Sequence, residues 1–157
     1  MQPPVEALRH LLDTVPSQLL ELSDARASLK PSPEKWSPKE ELGHLLDSAA
    51  NNHQRVVRTL FEDRPAMPGY QQQRWVQVHV YQQREWRELI ETWTVLNRQL
   101  LMVSAGVADA DWSRTCTIAG SRPLTLTYVL TDYVAHMVHH LAHIKEAKQS
   151  QRRTTND

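Results

Sequence analysis

The chain has one cysteine, Cys116, one phenylalanine and four glycines among 157 residues. A single cysteine makes no internal disulfide, and without a C-x-x-C pair there is neither a dithiol redox couple nor a sulfur-rich zinc site. Any metal must therefore be held by nitrogen and oxygen. An excess of either charge is missing too: 18 lysines and arginines balance 18 aspartates and glutamates, and the pI is near 7.1. That balance supplies no basic field, so neither nucleic acid nor a membrane surface is expected as a partner. No run approaches the roughly 18 apolar residues of a membrane span. The opening MQPPVEALRH lacks a basic lead followed by an apolar stretch, so the expectation is a soluble, cytoplasmic protein. The length suits one domain, expected over 1–149, with 150–157 as a frayed tail.

What is present favours helices. Leucine, glutamine, arginine and glutamate abound, and no period-two alternation lasts more than a few residues. The first helix is expected over about 4–26, bending near Pro16. The second opens at WSPKEELGHLL, where Ser37 reads as N-cap, Pro38 as first helical residue and Glu40 as the far half of a capping box. It should reach about Leu60. A third is expected from roughly Arg74 to Ser104, stopped by Gly106, and a fourth from near Thr125 to Lys148. The stretch from Val107 to Leu124 reads as a long irregular loop of the kind that often carries function. The fold class is all-α, a four-helix bundle.

Four of the eight histidines fall in AHMVHHLAH, residues 135–143. At about 100° per residue, His136, His139, His140 and His143 share one third of the helix circumference. The apolar stripe of that helix is Leu126, Leu130, Val134, Met137, Leu141 and Ile144. His140 borders it most closely, then His136, and His139 lies furthest round, so burial favours the His136/His140 pair. Two imidazoles at i and i+4 can converge on one divalent ion, but a catalytic site needs a third ligand and an open position. A half-exposed helix face is the plainer alternative. His53 falls on the leucine stripe of the second helix and reads as a core histidine, whereas His10 and His79 lack partners nearby in sequence. Periodicity groups His44 with Asp47, Ser48 and Asn51 away from the leucines, which fits either an exposed histidine or a polar groove. Lone Cys116 reads as a small packed residue, not a nucleophile.

The order of a first helix, WSPKEELGHLL, a long third helix, DWSRT, and a closing helix with HMVHHLAHI resembles the DinB-like superfamily, especially its bacillithiol-transferase-like branch. The resemblance covers about Val5 to Ile144. It implies a metal-binding four-helix bundle in which His44, His136 and His140 hold one divalent ion, zinc or nickel. It also implies Asp47 and His143 as residues that orient the ligands, and transfer of a low-molecular-weight thiol to a small electrophile. A metal-dependent hydrolase, or a non-catalytic bundle acting in protein association, are the alternatives. A homodimer is expected from Trp75, Val78, Trp86 and Trp93 on the third helix and from the resemblance.

Overall fold

Ser37 starts the longest-buried helix of the molecule just as its sequence predicts. Its hydroxyl accepts from the backbone N–H of Glu40 at 3.2 Å, and the Glu40 carboxylate accepts from the N–H of Ser37 at 2.9 Å. Such a cap stabilises a helix by about 1 kcal/mol. The structure, a computed structural model, describes residues 2–154. Its helices are α1 (Pro3–Leu20), α2 (Asp24–Ala27), α3 (Pro38–Phe61), α4 (Gln72–His79), α5 (Trp86–Ala105) and α6 (Leu126–Thr154). Four of them, α1, α3, α5 and α6, form a four-helix bundle, with α3 against both α5 and α6 and α1 on the far side of that pair.

The bundle's core is one cluster. It includes Val5, Leu8 and Leu12 of α1, Leu42, Leu45 and Val56 of α3, Leu89, Trp93 and Leu100 of α5, and Leu130, Met137 and Ile144 of α6. Within each set the residues are three, four, seven or eleven apart, spacings that return to one helical face. Trp86 and Trp93 both lie in this core, and the Trp86 indole N–H donates to the carbonyl of Leu19 at 2.9 Å. Neither is therefore available as a dimer surface, whereas Val78 is exposed and Trp75 half-buried.

Two of the expected helices are interrupted. The first ends at Leu20, and Ser23 caps the short α2 by accepting from the N–H of Arg26 at 3.3 Å. Pro16 sits inside α1 without ending it. The Asp24 carboxylate then receives both the Lys39 ammonium, at 2.8 Å, and the backbone N–H of Trp86, at 2.7 Å, tying α2 to the starts of α3 and α5. The expected helix from Arg74 to Ser104 breaks after His79. Val80 takes the left-handed conformation (φ 47, ψ 46), a 3-10 turn covers Tyr81–Gln83, and α5 begins at Trp86. The Tyr81 ring packs against α3, where a Cβ on Gly43 would come within 2.1 Å of it. Only glycine leaves room there.

The stretch expected as irregular is also ordered. A 3-10 turn at Asp109–Ser113 leads into β2 (Thr115–Ile118), which pairs in parallel with β1 (Ala66–Met67) and antiparallel with β3 (Leu124–Thr125). Cys116 is buried in a small second core with Met67 and Val129, the packed role its solitary occurrence suggested. Helix α6 passes the expected end at Lys148, and residues 155–157 of the expected frayed tail lie outside the described residues. Among the described residues no helix is long and apolar enough to cross a membrane.

Candidate metal centre

Helix α3 is covered on nearly every side over its first three turns, because α5, α6, α4 and the Tyr81 turn all pack on it. His44 is consequently 0 % exposed, not on an open polar face as its periodicity allowed. Across the bundle, α6 presents His136 and His140 half-buried, while His139 one position away is exposed. The Nε2 atoms of His44 and His136 are 3.0 Å apart. One ring nitrogen from each of His44, His136 and His140 falls within 4.8 Å of the others. Nitrogens ligating one zinc ion at 2.0–2.1 Å are separated by a little over 3 Å, so this spacing fits a shared divalent cation.

Protonation agrees with that fit. Burial, reinforced by the charges of His140 and His136, lowers the His44 pKa from 6.5 to about 3. Burial and the neighbouring His140 lower that of His136 to about 4. Both rings are thus neutral near pH 7 and keep a lone pair for a metal. The Nδ1 of His44 is buried without a hydrogen-bond partner.

Glu41 was not anticipated. One turn before His44 on α3, its carboxylate accepts from His140 Nδ1 at 2.6 Å and from His143 Nδ1 at 3.2 Å. This fixes the His140 tautomer and leaves Nε2 as its free nitrogen, the carboxylate–histidine arrangement common behind metal ligands. The available signal was the E-x-x-H spacing of Glu41 and His44, which puts both on one face. Trp36, just before the cap, lies over the rings of His44 and His140 at centroid distances of 5.1 and 6.2 Å. A cleft of about 470 Å³, lined in part by Trp36, Glu41, His140 and His143, opens on this side.

His143, expected to orient a ligand, shares the Glu41 carboxylate with His140. Asp47 is buried, but its partners lie elsewhere: Tyr81 Oη donates a hydrogen bond to its Oδ1 at 2.6 Å, and His79 Nδ1 stands 3.0 Å from the same oxygen. His79 thus gains a partner from another helix. His53 is half-buried with its Nε2 unpartnered, and His10 is exposed.

Known proteins share this architecture. A 25 % identical protein of Halalkalibacterium halodurans, named "Putative metal-dependent hydrolase BH0277", aligns over 87 % of this chain and 81 % of its own. A 26 % identical Bacillus subtilis protein, "Putative metal-dependent hydrolase YfiT", aligns over 87 % and 79 %. The solved structure of YfiT, described as a probable metal-dependent hydrolase with an unusual four-helix bundle topology, superposes with a TM-score of 0.83 at 21 % identity, over 94 % of this chain and 85 % of that one. A mycothiol-dependent maleylpyruvate isomerase has the same fold at a TM-score of 0.70 and 11 % identity, with 88 % of this chain covering 58 % of that one. Residues 5–144 match the model of the DinB superfamily, so the chain belongs to that superfamily.

Proposed function

We propose that the protein is a metal-dependent transferase that activates a low-molecular-weight thiol for attack on a small electrophile, with His44, His136 and His140 as ligands of one zinc or nickel ion. The convergence of three imidazole nitrogens, two of them on rings kept neutral by burial, carries this reading. A divalent cation there would supply the positive charge that lowers the pKa of a thiol and raises its thiolate fraction near neutral pH. The protein's own residues do the rest. Glu41 accepts a hydrogen bond from His140 Nδ1–H and so presents its Nε2, while Trp36 shields His44 and His140 on the cleft side.

Likeness to a mycothiol-dependent enzyme supports the thiol, and the names of the two bacterial relatives support a second reading, hydrolysis by the same centre. The deciding experiment assays metal-stripped, zinc-loaded and nickel-loaded protein with a panel of cysteine, glutathione, bacillithiol and mycothiol against monochlorobimane, and in parallel with p-nitrophenyl esters. Metal-dependent conjugation of at least one thiol, lost in His136→Ala, is the expected result. Thiols that react alike with and without metal, while esters turn over only with it, would establish the hydrolase.

A further inference from the structure

Beside the histidine trio lies a second cluster that metal binding does not use. Helix α4 ends at His79, and the left-handed Val80 turns the chain so that His79 and Tyr81 both reach Asp47 on α3. Asp47 is 3 % exposed, and its Oδ2 has no hydrogen-bond partner. The His79 side chain is 46 % exposed and lies between Trp75 and Tyr81, with ring centroids at 5.9 and 5.2 Å. Its Nδ1 stands 3.0 Å from the carboxylate, and the ring lines a cleft of about 580 Å³ together with Tyr70, Trp75 and Asn51.

The pair is joined to the trio through α3. Asp47 follows His44 by three residues on α3, which places their Cβ atoms about 5–6 Å apart. Ser48, the next residue on α3, has its hydroxyl 3.5 Å from His136 Nδ1 on one side and lies beside Tyr70, a wall of the cleft, on the other. A buried carboxylate beside one nitrogen of a half-exposed imidazole is the arrangement that can orient a general base.

We propose that His79 is the proton acceptor of the reaction and Asp47 its positioning residue. The proposal rests on the thiol-transfer reading. The S–H proton passes to His79 Nε2, the sulfur electron pair forms the new S–C bond, and the carbon–halogen pair leaves as halide. With an epoxide, the proton on His79 goes to the alkoxide released by ring opening.

The test has one arm that needs no substrate. In 15N spectra of the zinc-loaded protein, His79 should be the Nδ1–H tautomer, and Asp47→Asn should abolish that preference. An Nε2–H tautomer in the wild type would overturn the proposal. The second arm uses His79→Asn, whose amide can still donate to Asp47 but cannot take a proton, with His79→Gln as a further variant should the first misfold. With monochlorobimane and the best thiol of the panel, kcat should fall by about 100-fold or more at unchanged KM and zinc content. A kcat within about threefold of wild type would overturn it, as would a loss explained by missing zinc. If the wild type conjugates no thiol, the transferase reading fails, and the dyad is then decided by the tautomer alone.

Discussion

Glu41 and His140 are joined across the bundle by a 2.6 Å hydrogen bond, helix α3 to helix α6. Loss of such a partner loosens a ligand ring and typically lowers metal affinity by about 10- to 100-fold. Glu41→Gln should therefore weaken zinc binding by that amount while the fold persists. Competition with a chromophoric chelator measures it, and an affinity within about twofold of wild type would show that Glu41 does not support the centre.

Purified without an affinity histidine tag, the protein should hold one divalent ion per chain. His44→Ala, His136→Ala and His140→Ala should each lose it. His139→Ala should keep it, because that ring is exposed on the far side of the stripe. Elemental analysis of the four variants decides, and equal losses at 139 and 140 would mean the ligand set is wrong.

Acid should destabilise the metal-stripped protein through the same rings. The folded pKa values, about 3 for His44 and about 4 for His136, lie below the ordinary 6.5. The unfolded chain thus binds protons first as pH falls. The stabilising contribution is complete above about pH 6.5, declines below it, and is exhausted once pH has passed through about 4 and then about 3. Urea midpoints across this range should fall with pH, and His136→Gln should flatten the slope. A slope unaltered by that substitution would disprove the assignment.

Gly43→Ala should destabilise by about 1–3 kcal/mol, the usual range for an overpacked contact. The new methyl would meet the Tyr81 ring at 2.1 Å and push it off α3, with loss of its bond to Asp47. Thermal unfolding reads the effect. A variant as stable as wild type would mean that the turn after α4 shifts freely.

Where the sequence carried a local rule, it was legible. The Ser37 cap is set by three neighbouring residues, and the His136/His140 pair by a single helix's periodicity. His44 was ambiguous because periodicity assumes one buried face, and α3 is packed on all sides where His44 sits. The break at Val80 carries no glycine or proline to announce it; it is imposed by the Tyr81 ring on Gly43 and by Asp24 capping Trp86. Strand β2 is only four residues long, too short for alternation to stand out. Glu41 looks in sequence like one more acidic residue in a helix's first turn, favourable to the dipole there. Its hydrogen bonds reach 99 and 102 residues away, beyond any local rule.

His44 and His136 are 92 residues apart along the chain. Closing so long a loop is slow, so α3 and α6 are expected to meet late on the way to the native bundle. A cation that needs both helices has little to bind before that encounter and cannot guide the search for it. Held by His44 and His136, such a cation would span the two helices like a clip, and they would have to part before the chain could open. Metal supply should accordingly set how long the folded protein survives, through the rate of unfolding, and leave the rate of folding nearly unchanged.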